Sequence, residues 1–197
     1  MHIALLGDSI FDNAAYVAPA QDVAAALRRH RPGWRVTLLA QDGAVLADVA
    51  AQVARLRALG DTPERIVVSC GGNDILPLTG MLHAPSATIL AGLEQLAAWR
   101  SDFRDGYCRM LDAVLAPGLP VAVCTVYDAV PGLTPGVRCA AAIFNDVIVF
   151  EARARRVPVL ELRAVCTEPG DYSARSPIEP SAAGSVKIAA AIAGLPD

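Results

Sequence analysis

The sequence has few aromatic and few charged residues. Of 197 residues, 5% are aromatic and 19% are charged, whereas 54% are hydrophobic. Disordered chains combine low hydrophobicity with high charge, so this composition indicates a folded core. The formal net charge is −3 and no long basic run occurs, which argues against a nucleic-acid-binding surface. We therefore expect no nucleic-acid partner.

Long hydrophobic runs are also lacking. No stretch approaches the roughly 20 apolar residues that a membrane-spanning helix needs. The first apolar run, Ile3–Gly7, has no basic residues before it and is shorter than the about 7–15 residues of a signal-peptide core. These features predict a cytoplasmic protein without a membrane span, and they leave the oligomeric state open.

Cysteine motifs are missing as well. The five cysteines are widely spread and include no C-x-x-C pair, so the sequence predicts neither a disulfide framework nor a zinc site. No G-x-G-x-x-G loop follows the first apolar run. This weakens a third possible function, a nucleotide binder with a flavodoxin-like fold.

What the sequence does contain is a regular alternation of short apolar runs with longer segments of helical period. The predicted strands are His2–Gly7, Arg35–Ala40, Arg65–Asp74 (which runs into a glycine pair), Pro120–Asp128 and Val157–Leu162. The predicted helices are Asp22–His30, Val45–Leu59, Val137–Arg156 and Ser181–Ala193, together with a region from Ser86 to Leu115 expected to hold more than one helix. Near-continuously apolar strands are typical of a parallel sheet covered on both faces. The pattern predicts a three-layer α/β/α sandwich that forms one domain over residues 1–197.

Polar residues follow three of the predicted strands. Ser9 comes after the first in Gly7-Asp8-Ser9, Gly43 after the second, and Asn73 after the third. Ligands of such sheets bind beyond the carboxyl ends of the strands. Acyl transfer requires a nucleophile and hydrogen-bond donors for the oxyanion. A serine, a backbone N–H and an asparagine amide at one edge of the sheet would supply them. Each stretch is also compatible with a plain turn or helix cap.

These motifs resemble those of the SGNH (GDSL-type) hydrolases. Gly7-Asp8-Ser9 matches the family's first block, Gly71-Gly72-Asn73-Asp74 matches its third, and Gly43 is the candidate for the oxyanion-hole glycine of its second. The resemblance spans the chain in motif order and spacing. It implies a flavodoxin-like five-stranded parallel sheet of order 2-1-3-4-5, hydrolysis of esters or removal of acetyl groups, and no metal or organic cofactor.

The family's last block, Asp-x-x-His, is changed in this chain. The two positions hold Ser176 and Glu179, while the proline, the turn and the helix that follow are kept. An exposed glutamate has a pKa about two units below that of histidine, which makes it a weaker proton acceptor by about 3 kcal/mol. Burial would raise the pKa of Glu179 towards 6 or 7, where a catalytic base works well.

Other assignments remain open from the sequence. Glu179 is a candidate base, but it is equally compatible with orienting Ser9, binding substrate or capping the last helix. His83, in the loop after the Asn73 block, is an alternative base. Further candidates for contacts with substrate are Asp8, Gly72, Tyr127 and Ser176. Asn145 and Asp146 are expected to face solvent or to pack.

The sequence therefore predicts a serine hydrolase that acts on a small ester, acetyl ester or thioester through a Ser9 acyl-enzyme. The alternative is a protein of the same fold that binds an acylated small molecule or a sugar without turnover.

Overall fold

The computed structural model describes residues 1–196 and contains one five-stranded parallel sheet. Its strands are β1 (His2–Gly7), β2 (Arg35–Leu38), β3 (Arg65–Ser69), β4 (Val121–Cys124) and β5 (Val159–Leu160), in the order β2-β1-β3-β4-β5. All four pairings are parallel, and Leu5 of β1 lies between Leu38 and Val67. The predicted fold class and strand order are confirmed.

Within residues 1–196, eight α-helices connect or follow the strands. They are α1 (Val23–His30), α2 (Val49–Ala58), α3 (Gly72–Ile75), α4 (Leu78–Met81), α5 (Ile89–Leu115), α6 (Pro135–Ala154), α7 (Leu162–Val165) and α8 (Ala182–Ala193). Three short 3-10 turns, Ala14–Tyr16, Leu46–Asp48 and Pro169–Asp171, complete the regular structure of the part of the chain that the structure describes.

The alternation of side chains along β1 divides the core into two layers. Ile3 and Leu5 pack with α1 and α8, whereas Ala4 and Leu6 pack with α2, α5 and α6. Successive residues of a strand point to opposite faces, so a strand buried on both sides must be apolar throughout. The six residues of β1 are all buried, and this explains the unbroken apolar run at the N-terminus.

Helix α5 corrects one expectation from the sequence. The region predicted to hold several helices forms a single 27-residue helix, capped by the Thr88 side chain, which accepts a hydrogen bond from the Ala91 N–H at 3.0 Å. Its interior contains glycine but no proline. A glycine costs about 1 kcal/mol, whereas a proline would break the helix. Burial of the C-terminal half, at Phe103, Tyr107 and Leu111, supports its continuity.

No helix within residues 1–196 is long and apolar enough to span a membrane.

Candidate active site

The loop after β1 is a tight turn that a side chain at Gly7 would disrupt. Gly7 has φ +115°, and a Cβ built on it would lie 1.7 Å from the carbonyl oxygen of Ser69. Gln52 of α2 holds the turn with two hydrogen bonds: its Nε2 donates to Gly7 O at 2.8 Å, and its Oε1 accepts from Gly7 N at 2.6 Å. This fixed turn places Ser9 beyond the carboxyl end of the central strand.

The loops after β2 and β3 are bound to each other next to Ser9. The Asn73 side-chain amide donates to Ala44 O at 3.0 Å, and the Leu46 N–H donates to the Asp74 carboxylate at 3.1 Å. An asparagine amide has two hydrogens, so one remains for a ligand. Gly43 adopts φ +77°, in the left-handed region that glycine tolerates. Within residues 1–196, neither the Ser9 N–H nor the Gly43 N–H donates to a backbone or side-chain acceptor.

The loop that carries Glu179 is anchored from three directions. Asn13 Nδ2 donates to Pro180 O at 3.2 Å and to Ser185 Oγ at 2.9 Å. The Tyr127 hydroxyl donates to the carbonyl oxygen of Ile178 at 2.5 Å. Inside the loop, the Ser173 N–H donates to the carbonyl oxygen of Glu179 at 2.8 Å. The Glu179 backbone is therefore fixed between the loop that follows β1 and the loop that follows β4.

Ser9 and Glu179 line one pocket of about 110 Å³. Ser9 is 6% exposed and Glu179 is 4% exposed, so both residues are almost completely shielded from solvent. The Ser9 hydroxyl lies near enough to the Glu179 carboxyl to lower its pKa. Oε2 of Glu179 is buried and has no protein partner within the described residues. The pocket lining thus includes both a hydroxyl group and a carboxyl group with one oxygen that no protein donor within residues 1–196 occupies.

Burial changes the protonation of two carboxyl groups in this pocket. Desolvation raises the pKa of Glu179 to about 7; the nearby Ser9 hydroxyl lowers the pKa and the Asp42 charge raises it further. Desolvation raises the pKa of Asp8 to about 8, against the effect of a hydrogen bond from the Ile10 N–H, which lowers it. At neutral pH Asp8 is mainly protonated, whereas about half of Glu179 is ionised.

The structure brings most of the predicted site residues together. Those that line the pocket are Asp8, Ser9, Gly72, Asn73, Tyr127 and Glu179. Gly43 lies on the exposed side of the loop that Asn73 contacts and does not line the pocket. His83 is exposed and lies outside the lining. Ser176 is also outside it, and its carbonyl oxygen accepts the Glu179 N–H at 3.1 Å.

Three buried amide side chains at the site escaped the sequence reasoning: Asn13, Gln52 and Asn145, each 0% exposed. Asn145 corrects the expectation of a solvent-facing or packing role, because its amide exchanges two hydrogen bonds, at 2.7 and 2.8 Å, with the backbone of Val126 in the pocket wall. Its neighbour Asp146 does face solvent and pairs with Arg100. A usable signal was present: Gln52 and Asn145 occupy inward positions of amphipathic helices that otherwise bury apolar side chains.

Within residues 1–196 no group of three or more histidine, cysteine, aspartate or glutamate side chains is arranged to hold a metal ion. The expectation that no cofactor is used stays a prediction.

Comparisons with known proteins agree with this geometry. The profile of the GDSL-like Lipase/Acylhydrolase family matches residues 5–186. A lipolytic G-D-S-L protein of Veillonella parvula superposes with a TM-score of 0.73 at 13% identity, over 99% of this chain and 97% of that one. An acetyl xylan esterase, AlAXEase, gives 0.72 at 12% identity, covering 99% and 100% of the two chains. An extracellular lipase from Streptomyces rimosus gives 0.71 at 18% identity, covering 98% of each. No curated protein matches by sequence.

The structural likenesses lie below 25% identity and show the fold, whereas the family profile covers nearly the whole chain. The predicted resemblance to GDSL-type hydrolases is thereby confirmed. This chain belongs to the GDSL-like lipase/acylhydrolase family and is a hydrolase.

Proposed function

We propose that this protein is a serine esterase in which Ser9 forms an acyl-enzyme and Glu179 takes the place of the family's histidine base. One observation carries the proposal: the Ser9 hydroxyl and the buried Glu179 carboxyl share a single pocket, close enough for the hydroxyl to influence the Glu179 pKa. A base must lie within hydrogen-bond reach of the proton that it removes.

In the acylation step, Ser9 Oγ attacks the carbonyl carbon of the ester and its proton passes to the Glu179 carboxylate. The tetrahedral intermediate collapses as the carbon–oxygen bond to the alcohol breaks, and Glu179 returns the proton to the departing alkoxide. In deacylation, Glu179 takes a proton from water, and the resulting hydroxide attacks the acyl carbon. Ser9 leaves as the alcohol with the proton that Glu179 held, and the carboxylic acid is released.

The negative charge on the intermediate needs donors that are already in place. The Ser9 N–H, the Gly43 N–H and the second amide hydrogen of Asn73 all lack protein acceptors within residues 1–196. We assign the Ser9 N–H and the Asn73 amide, which border the pocket, to the oxyanion hole; Gly43, which does not line the pocket, would join them only if its loop moved towards Ser9. The hydrogen bond from Asn73 to Ala44 O orients the amide and holds the Gly43 loop beside it. Removing one such donor typically lowers kcat by about 100- to 1000-fold.

Burial makes a carboxylate a credible substitute for imidazole. A shift of the Glu179 pKa from 4.5 to about 7 brings its basicity close to that of histidine. The gain in proton affinity corresponds to about 3 kcal/mol. No third group is needed to hold the base, because no ring has to be oriented or stabilised as a cation. The absence of an aspartate at Ser176 is consistent with this arrangement.

Hydrolysis of short aryl esters by the wild type, Ser9→Ala and Glu179→Gln tests the proposal. We expect activity to be lost in Ser9→Ala and to fall by at least 100-fold in Glu179→Gln. Ser101→Ala and Glu94→Gln, two exposed positions on α5, are the matched controls and are expected to retain wild-type rates. Equal background rates in all five proteins would mean that the pocket binds without turnover.

His83→Ala separates the two candidate bases. His83 is exposed and outside the pocket lining, so its removal is expected to leave kcat/KM unchanged. A loss as large as that of Glu179→Gln would transfer the role of base to His83.

A further inference from the structure

The pocket beside Ser9 has a polar end and an apolar end. Asp8, Ser9, Asn73 and Glu179 form the polar end. The remaining wall is mainly aliphatic and is built from Ile75, Leu76, Val130, Leu133, Val137 and Ala141. No lysine, arginine or histidine is among the lining residues. A negatively charged group at the aliphatic end would therefore find no cationic side chain to pair with.

A second, smaller cavity of about 30 Å³ lies behind the aliphatic wall. It is enclosed by α4, α5 and α6, with Trp99 and Phe144 among its lining residues. Four residues line both cavities: Ile75, Thr79, Val137 and Ala141. They therefore form a partition between the Ser9 pocket and the cavity behind it.

The two volumes limit what can enter. A cavity of about 150 Å³ accommodates benzene, which corresponds to about 25 Å³ for each carbon with its hydrogen. The main pocket, about 110 Å³, thus holds about four such groups, and the cavity behind the partition adds about one. An acetyl group would leave most of the pocket empty, and a decanoyl chain would exceed it.

We propose that the aliphatic end of the pocket binds the acyl chain of the substrate, and that the enzyme prefers uncharged, unbranched acyl groups of about four to six carbons. The end of the acyl chain contacts the partition, which therefore limits the length of acyl chain that fits. The partition is formed by Ile75, Thr79, Val137 and Ala141. This inference rests on the proposed esterase function, since the carbonyl carbon must sit at Ser9 for the chain to extend along this wall.

A series of 4-nitrophenyl esters from acetyl to decanoyl tests the chain length. Each buried methylene adds about 0.8 kcal/mol, so kcat/KM is expected to rise about fourfold per methylene up to butanoyl or hexanoyl and to fall beyond octanoyl. The hemisuccinate ester, which has the length of the butanoyl ester but ends in a carboxylate, is expected to react at least tenfold more slowly. A profile that peaks at acetyl or decanoyl, or equal rates for butanoyl and hemisuccinate, would overturn the inference.

Two substitutions in α6 test the partition. Ala141→Leu fills the chain end and is expected to lower the hexanoyl-to-acetyl ratio of kcat/KM by about tenfold. Val137→Ala opens the wall towards the second cavity and is expected to move the optimum up by one or two carbons. The matched control is Ala142→Leu, which adds the same side chain at the next, exposed position of the helix and is expected to keep the wild-type profile. Unchanged profiles in both partition variants would contradict the assignment.

The same assays separate this inference from the proposed function. If no ester in the series reacts faster with the wild type than with Ser9→Ala, the esterase proposal itself fails. If Ser9-dependent hydrolysis is present without the expected length profile, only the acyl-chain assignment fails.

Discussion

At the scale of single residues, the raised pKa of Glu179 links the proposed chemistry to stability. In the unfolded chain the group titrates near 4.5, and in the folded protein burial moves the pKa to about 7. Between these values the folded state binds more protons than the unfolded state, so the free energy of unfolding falls as pH rises. The functional carboxylate therefore costs stability at the pH where it becomes a base.

Glu179→Gln is expected to remove part of this dependence. The amide keeps the size of the side chain but cannot ionise, so the variant should gain stability over the wild type above pH 7, by up to about 3 kcal/mol. Below pH 4.5 the difference should be small. Urea denaturation at pH 5 and pH 8 measures it, with Glu94→Gln as the exposed control. A wild type that loses no stability relative to Glu179→Gln between these pH values would rule out the buried, neutral carboxyl.

Asp8→Asn is likewise expected to be more stable than the wild type at high pH, and the difference is expected to develop over a wider pH range. Desolvation holds the pKa of Asp8 at about 8, so the wild type loses stability up to that pH whereas the amide does not. The amide oxygen of asparagine can still accept the Ile10 N–H, which keeps the turn in place. Thermal denaturation at pH 6 and pH 9 is the measurement, and a stabilisation that is equal at both values would contradict a raised Asp8 pKa.

Asn73→Ala tests the assigned oxyanion hole. The substitution removes one donor to the intermediate and is expected to lower kcat by about 100-fold or more with a small change in KM, because the donor acts mainly in the transition state. Steady-state kinetics on the butanoyl ester checks this. An increase in KM alone would assign Asn73 to substrate binding instead.

At the scale of elements, helix α6 contributes to the site from the face of the sheet opposite to the one that α8 covers. Asn145 pairs with both backbone groups of Val126 and thereby fixes the chain that carries Tyr127. Asn145→Ala leaves a buried N–H and a buried C=O without partners and is expected to lower the free energy of unfolding by about 2–4 kcal/mol. The control is Asp146→Ala, an exposed position whose ion pair with Arg100 contributes little. Equal stability of the two variants in urea denaturation would show that the pocket wall does not depend on Asn145.

Whether a feature of these elements could be predicted from the sequence depends on whether it arises from neighbouring residues or from contacts between distant parts of the chain. The strands and the loops that follow them could be predicted, because buried parallel strands are continuously apolar and Gly7, Ser9 and Asn73 stand directly after them. The inward positions of Gln52 and Asn145 could be recognised from helical periodicity, but the hydrogen-bond partners of these residues and of Asn13 could not, because those backbone atoms come close only in the folded chain. The continuity of α5 was also missed, because tertiary packing outweighs the cost of its glycines.

At the scale of the whole molecule, the site exists only when both faces of the sheet are packed. Ser9 follows β1, Glu179 precedes α8 on one face, and Asn145 lies on α6 of the other. We propose that residues 1–197 form one domain, and the family profile over residues 5–186 supports this.

A single domain is expected to unfold in one cooperative transition. Trp34 packs against the core of α1 and α8, and Trp99 against the core of α2, α5 and α6, so each reports on one face. Trp34→Phe and Trp99→Phe leave one fluorescent reporter each, and we expect each reporter's transition to coincide with the helix signal measured by circular dichroism in the same variant. A reporter that unfolds well apart from the helix signal would indicate that the two faces unfold independently.

The most direct test of the central claim, that buried Glu179 activates Ser9, is the rate at which a fluorophosphonate labels the protein as a function of pH, followed by intact mass. We predict a single adduct on Ser9 whose rate of formation rises with an apparent pKa near 7, no adduct in Ser9→Ala, and a slow, pH-independent rate in Glu179→Gln. Labelling of Glu179→Gln at the wild-type rate, or a wild type that is not labelled at any pH, would contradict the account.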